Sequence, residues 1–236
     1  MGIQFIIVGI VLALASYISV AKSKLDNSGG IVAWITGMLI FIGSGWAGLS
    51  MLVVFFLLGS WSTSLGLNKK AKLGLVAEKD SKRNAGQVFA NSGTGLLLAI
   101  CSIIFPTYYS IFLLLFAAAF SSATADTMSS ELGNLYGKYF YNIITLKEDA
   151  RGLNGVISIE GTLFGIAGSC AIACIYSVFN GFGINTSIIV FAGTLGNISD
   201  SLIGATAERK GLVSNNAVNF LNTAVGALAA FLMYWL

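Results

Sequence analysis

Long apolar runs, separated by short polar breaks, set the pattern of this chain from its first residues. Residues 2–20, 46–61, 96–120 and 161–179 are almost free of charge, and these runs approach or exceed the roughly 20 residues that cross a bilayer core. The runs are continuous rather than alternating, which argues for helices and against a membrane β-barrel. The pattern predicts helices near 2–21, 29–44, 46–66, 86–105, 107–131, 157–179, 185–207 and 213–235. The second and third share one apolar stretch, 29–66, that is too long for a single pass at about 1.5 Å per residue. Gly43-Ser44-Gly45 supplies an uncharged turn between two shorter helices. The expected fold is an all-α polytopic integral membrane bundle of about eight transmembrane helices, forming one domain over 1–236.

Charge placement gives this bundle an orientation. Only 10% of the 236 residues are charged, against roughly a quarter in a soluble domain, and 28 glycines with one proline suit close helix packing. The 13 basic residues fall into four groups. These are Lys22 and Lys24; Lys69, Lys70, Lys72, Lys79, Lys82 and Arg83; Lys138, Lys147 and Arg151; and Arg209 and Lys210. Eight passes put all four groups on one side, which the positive-inside rule makes cytoplasmic, whereas a single pass over 29–66 would throw the first group across the membrane. Both termini are then outside. The outer turns, near 43–45, 106 and 180–184, carry no charge. The first apolar segment has no basic residue before it and no small-residue cleavage site after it, so it reads as a transmembrane helix rather than a removable signal peptide. Lys69, Lys70 and Lys72 read as anchors at anionic lipid, whereas Lys82 and Arg83 abut a polar helix face.

Composition narrows the chemistry. A net charge of +3 is too small and too localised for nucleic acid, and the absence of histidine leaves ionic catalysis to Asp, Glu, Lys or Arg. Cys101, Cys170 and Cys174 fall inside apolar helices and read as buried small residues rather than a soft-metal site. Glycine-rich stretches at 152–168 and 193–196 can bring backbone amides to phosphate, but no phosphate-loop or dinucleotide fingerprint is present.

Polar and small residues recur at three- and four-residue spacing near the cytoplasmic helix ends, a pattern that asks for a cavity. The stripes run Arg83, Gln87, Asn91; Asn154, Ser158, Thr162; Asn197, Asp200, Gly204, Glu208; and Asn215, Asn219, Asn222, Gly226. The segment Ser121 to Asp126, with Thr127, Ser129, Ser130, Glu131 and Gly133, adds a fifth. Serine, threonine and asparagine in membrane helices often serve only to hold neighbours together. A carboxylate at membrane depth costs on the order of 2.5–3.5 kcal/mol, so Asp126 and Asp200 need a partner, water or a cation. Each is followed by a hydroxyl residue, Thr127 and Ser201, and a hard cation such as Mg²⁺ takes one or two carboxylates and completes its shell with water and phosphate. A weak internal echo also exists: Phe89 to Gly95 and Phe220 to Gly226 both read F-x-N-[ST]-[GA]-x-G.

Four ordered blocks resemble a known family. They are Arg83-Asn84-Ala85-Gly86-Gln87-Val88-Phe89-Ala90-Asn91; Ala123-Thr124-Ala125-Asp126-Thr127-Met128-Ser129-Ser130-Glu131-Leu132-Gly133; Gly152-Leu153-Asn154-Gly155-Val156-Ile157-Ser158 with Gly161-Thr162; and Gly196-Asn197-Ile198-Ser199-Asp200-Ser201-Leu202-Ile203-Gly204-Ala205-Thr206. The chain resembles, from about residue 29 to its end, the multi-pass membrane family of plant phytyl-phosphate kinase, which also has a vertebrate member. It is more distantly similar to dolichol kinase and CDP-diacylglycerol synthase. In the third block Leu153 and Val156 stand where the family pattern has threonine and glycine. The resemblance implies transfer of a phosphoryl group from CTP or another nucleoside triphosphate to a membrane isoprenyl, phytyl-like monophosphate, with Mg²⁺, in the cell membrane and at its cytoplasmic face.

Residue pattern and resemblance meet on the same positions. The expected roles are Asp126 and Asp200 as metal-linked carboxylates, Glu131 as a further ligand or a group behind them, and Lys82 and Arg83 on phosphate. Asn91, Asn154, Asn219 and Asn222 would orient substrates, with Gly155, Ser158, Thr127, Ser201 and Asn197 completing the nucleotide and phosphate contacts. The expected partners are a prenyl monophosphate, a nucleoside triphosphate and membrane lipids. The alternatives are a secondary transporter, which needs a polar path to both faces, and a noncatalytic assembly factor, which needs neither nucleotide nor metal.

Overall fold

The computed structural model describes residues 2–75 and 82–236, so Lys79, grouped above with the basic residues, lies outside the described residues. Long helices dominate: α1 (Gly2–Ala21), α2 (Asn27–Ser64), α4 (Ala85–Ile104), α5 (Tyr109–Tyr136), α6 (Ile159–Asn180), α7 (Ile184–Ile203) and α8 (Asn215–Tyr234), with a short α3 (Leu67–Lys72) after α2. Seven helical spans among the described residues are long and apolar enough to cross a membrane.

The longest of them is not straight. At 38 residues α2 would extend about 57 Å, nearly twice a bilayer core. Its two ends instead meet, because Lys24, just before α2, donates from Nζ to Ser64 Oγ at its last residue. The reversal falls at Gly45, which has φ 60° and ψ −155°, a conformation closed to residues with a Cβ. Across it the Phe41 and Trp46 rings lie 4.9 Å apart, edge to face. Tyr109 Oη donates to Ser44 O at 3.1 Å, which puts the reversal beside the α4–α5 turn. The residues before and after Gly45 therefore form two antiparallel legs, which makes eight long helical segments among the described residues, with the break inside the predicted Gly43-Ser44-Gly45 turn.

Helix starts are written at one end of the bundle. Asp26 accepts from Gly29 N (2.6 Å) to cap α2, Asn84 and Gln87 form a reciprocal capping box on α4, and Ser158 and Ser214 cap α6 and α8. All four caps lie at the charged end. A 3₁₀ turn, Pro106–Tyr108, links α4 to α5, and α5 runs on to Tyr136, past the predicted end at 131, because Ser129 and Glu131 face a cavity rather than ending the helix.

Helix α5 is the axis of the molecule, packing against α2, α4, α6, α7 and α8. Leu113 to Ala125 is a continuous buried run, joined by Ile40, Met51, Ile172, Ile189 and Ala230 in one apolar core. Small residues set the closest approaches: Gly193 and Gly196 of α7 and Gly226 of α8 lie against Ser121 and Ser122, leaving no space for a Cβ. Helix α1 packs on α2 and turns most of its apolar surface outward, toward lipid. The sequence echo falls on neighbouring helices, with Phe89 and Phe220 stacked at 6.4 Å and Thr94 hydrogen-bonded to Thr223 at 2.8 Å.

Candidate active site

At the charged end the helix tips part around a polar cavity of about 490 Å³. Its walls come from the α1–α2 connection, the end of α2, the starts of α4 and α8, the last turns of α5 and α7, and the loop 152–158 before α6. The cavity brings together nearly every site residue expected from sequence. Asp126, Asp200, Glu131, Arg83, Asn91, Asn154, Gly155, Ser158, Thr127, Ser201, Asn197 and Asn219 all line it.

The carboxyl groups of Asp126 and Asp200 are direct neighbours across the α5–α7 interface. Asn222 Nδ2 donates to Asp200 Oδ2 at 3.1 Å, and Asn222 is itself fixed by Ser122 Oγ, which donates to Asn222 Oδ1 at 2.7 Å. Asn222 is fully buried and lies behind Asp200, so it aims the carboxylate and does not line the cavity as a substrate contact. Its echo partner Asn91 does line the cavity, donating to Gln87 O at 2.9 Å. Two adjacent carboxylates with Thr127, Ser201 and Ser129 around them form an oxygen-only donor set that fits a hard divalent cation. Among the described residues no group of three Asp, Glu, His or Cys is placed to hold a metal, so such an ion would take most of its shell from water and phosphate.

Glu131 is committed elsewhere. Its Oε2 lies 2.6 Å from Lys70 Nζ, which also donates to Ser62 O at 2.8 Å. Lys70 is only 1% exposed. It is therefore an internal strut between α3, α2 and α5, which corrects the expectation of a lipid-surface anchor. Lys69 likewise reaches back to Leu135 O (3.1 Å), whereas Lys72 stays exposed. Lys82 is also exposed and outside the cavity, with Asp26 as its charged neighbour, so the expected phosphate role falls to Arg83 alone of that pair.

The Arg83 guanidinium lies over the Phe55 ring (5.9 Å) and against Gly59, where a Cβ would come within 3.0 Å of Nη2. Among the described residues its side chain makes no hydrogen bond or ion pair. Burial pulls its pKa below the ordinary guanidinium range and the charge of Glu131 pulls it back. Lys22 and Lys24 also line the cavity, as does Glu208, carried by a π-helical turn, Gly204–Glu208, at the end of α7. Glu208 sat on the α7 stripe in the sequence, whereas the two lysines gave no signal beyond charge bias.

The loop over the cavity is pinned from outside. Arg209 pairs with Asp149 (2.8 Å) and donates from Nε to Asn154 O. Gly155, at φ 72°, passes against Gly204 and Ala205, and Tyr141–Asn142 pairs antiparallel with Val156–Ile157. The pKa of Asp149 falls below the ordinary carboxylate value, first through the Ala150 N–H and then through Arg209.

Fold and site define a polytopic helical membrane protein with a polar cavity lined by paired carboxylates and by cations that have no ion-pair partner among the described residues. The chain belongs to the family described as integral membrane protein DUF92, whose model matches residues 10–227. Among similar proteins, an uncharacterized membrane protein of Synechocystis, sll0875, is 34% identical over 93% of this chain and 85% of its own length. Another uncharacterized membrane protein, MJ0933 of Methanocaldococcus jannaschii, is 34% identical over 98% of this chain and 94% of its own. Protein VTE6, chloroplastic, of Arabidopsis thaliana is 30% identical over 89% of this chain, which spans 65% of that relative. No solved structure matches the chain.

Proposed function

We propose that the protein is a prenyl-phosphate kinase, transferring a phosphoryl group from a nucleoside triphosphate, CTP foremost, to a membrane isoprenyl monophosphate at the cytoplasmic face of the cell membrane. The observation that carries the reading is one cavity lined by the Asp126–Asp200 pair and by an Arg83 guanidinium that has no ion-pair partner among the described residues. The resemblance to the family of plant phytyl-phosphate kinase and the identity with a chloroplast relative supply the substrate class.

In this reaction an oxygen of the prenyl monophosphate attacks the terminal phosphorus of the nucleotide. The bond to the bridging oxygen breaks, and the nucleoside diphosphate leaves with that oxygen. The acceptor is already an oxyanion at neutral pH, so the chain's lack of histidine is no obstacle. Phosphoryl transfer asks mainly for alignment and charge neutralisation. Arg83 offers a planar fork of donors for phosphate oxygens. Asn91, Asn154, Asn219, Asn197 and Ser158 offer hydrogen bonds around the cavity, and Asn222 holds Asp200 in place. Asp126 and Asp200 would hold Mg²⁺, whose chemistry there would be neutralisation of nucleotide phosphate charge.

Transport is the weaker reading because the polar lining on α5 begins at Asp126, and the preceding run Leu113 to Ala125 is buried. The test is substitution: Asp126→Asn and Asp200→Asn each abolish diphosphate formation while the protein inserts and purifies. Activity surviving in both variants removes the pair from the site.

A further inference from the structure

Two lysines between α1 and α2 occupy the cavity through a specific piece of backbone architecture. After Ala21 the chain turns sharply: Ser23 N donates to Val20 O (2.9 Å) and Lys24 N to Ser19 O (2.8 Å), with Ser23 at φ 55°, an uncommon left-handed setting for a residue other than glycine. The connection then runs parallel to the lead into α4. Arg83 N donates to Lys24 O and Asp26 N to Arg83 O, each at 3.0 Å, and Leu25, 2% exposed, fills the space beneath. Gly29 passes so near that a Cβ would lie 2.5 Å from Arg83 O. These features fix Lys22, Lys24 and Arg83, 59 to 61 residues apart in sequence, on one wall.

That wall is cationic, and hydroxyl groups from the end of α2 complete it: Ser60, Thr63 and Ser64 line the same cavity. Lys24 Nζ uses one of its three donors on Ser64 Oγ and keeps two. Neither Lys22, Lys24 nor Arg83 has an ion-pair partner among the described residues, while Glu131 on the facing α5 is already held by Lys70. Asp126, Asp200 and Glu208 stand on the α5 and α7 side. Lys24 and Arg83 are partly withdrawn from water and Lys22 stands exposed beside them. Converging cations of this kind need an anion, and partly buried charge-assisted hydrogen bonds to one are strong.

Resting on the kinase reading, we propose that the Lys22–Lys24–Arg83 wall seats the phosphate monoester of the lipid acceptor, opposite the carboxylate wall that receives the nucleotide. The two phosphate groups differ in chemistry. A free monoester dianion requires cations, whereas a cation-bridged triphosphate is drawn to carboxylates. The wall also stands where a lipid can reach it. It is built from the residues that directly follow α1, a helix that faces outward along most of its length, so an isoprenyl chain can stay in the bilayer with its phosphate at headgroup level.

The test is binding to purified protein in dodecyl maltoside, with geranylgeranyl monophosphate, geranylgeraniol, inorganic phosphate and Mg·CTP titrated separately. Lys24→Met weakens geranylgeranyl monophosphate binding about tenfold or more, the loss of one charge-assisted hydrogen bond, while Mg·CTP binding stays within about twofold. Lys24→Arg keeps the lipid phosphate within about threefold, which separates a lost charge from a damaged fold. Geranylgeraniol binding is unaffected by either change. Weaker Mg·CTP binding with unaltered lipid phosphate binding would assign the wall to the nucleotide and overturn the proposal. So would inorganic phosphate binding as tightly as the prenyl phosphate, which would make the wall a site for free anions. If the prenyl phosphate binds through Lys24 but no nucleotide is consumed, this wall stands and the kinase reading fails.

Discussion

Replacing Lys70 with methionine keeps an unbranched side chain one atom shorter and removes the charge and its donors. In the native fold Lys70 Nζ lies 2.6 Å from Glu131 Oε2 and 2.8 Å from Ser62 O, at 1% exposure, while Glu131 retains 27%. Removing one partner of a fully buried pair costs about 3–5 kcal/mol, because the other charge is left unpaired. Glu131 still reaches cavity water, so about 2 kcal/mol is the better figure here, the low end of that range discounted for solvent. In a chain of this size 1 kcal/mol moves the midpoint by about 2–4 °C, which predicts a drop of about 4–8 °C for Lys70→Met. Adding Glu131→Leu removes the stranded charge, and the double variant recovers at least half of the loss. Thermal unfolding in detergent, followed by the fluorescence of the four tryptophans, measures both. Lys72→Met, at an exposed position of the same short helix, is the control. If Lys70→Met unfolds with the Lys72→Met protein and merely lowers affinity for anionic lipid vesicles, the buried strut does not exist.

Other consequences follow from the same structure. Asn222→Ala leaves Asp200 without its donor and lowers turnover about tenfold or more with little change in KM for the prenyl phosphate, as steady-state kinetics will show; an unchanged turnover would remove Asn222 as the residue that aims Asp200. Gly196→Val pushes side-chain carbons into Ser122 and costs about 1–3 kcal/mol in thermal unfolding, whereas Gly181→Val, at a turn with open space, costs only the strain of its φ of 88°. The pKa of Asp149 is lower in the fold than its ordinary 3.8, so its pairing with Arg209 is fully present above that value and is lost as pH falls through the lower folded value; proteolysis of the 137–158 loop should rise there, and Arg209→Met should produce the same susceptibility at pH 7. A cysteine at position 72 or 147, both exposed, resists an impermeant thiol reagent in intact cells if the charged end is cytoplasmic, and labels without permeabilisation if it is not.

Much of this arrangement was legible in the chain, for identifiable reasons. The break in α2 could be located because a glycine pair sits mid-run and because one-sided charge requires the chain to return before Lys69. Asp126 and Asp200 stood out because a membrane carboxylate is costly wherever it lies. What the sequence concealed depends on register between distant segments. Lys70 looks like its neighbours Lys69 and Lys72, and only the docking of α3 on α5 distinguishes a buried strut from a surface charge. Lys22 and Lys24 enter the cavity through the Leu25–Arg83 bridge, a pairing across 58 residues with no local signature. Lys82 and Arg83 are adjacent, yet the strand-like backbone there sends them to opposite sides. Asn91 and Asn222 share a motif but differ in depth, since the helix carrying Asn222 is pressed against Ser122 and Asp200.

The central claim is that this cavity makes a prenyl diphosphate. Purified protein incubated with Mg²⁺, CTP or ATP and a series of prenyl monophosphates, with products identified by mass, tests it most directly. The account predicts one added phosphate on the lipid and one equivalent of nucleoside diphosphate, both absent from the Asp126→Asn and Asp200→Asn proteins. No lipid diphosphate under any nucleotide, together with solute movement across sealed liposomes without nucleotide consumption, would contradict it and assign the cavity to transport.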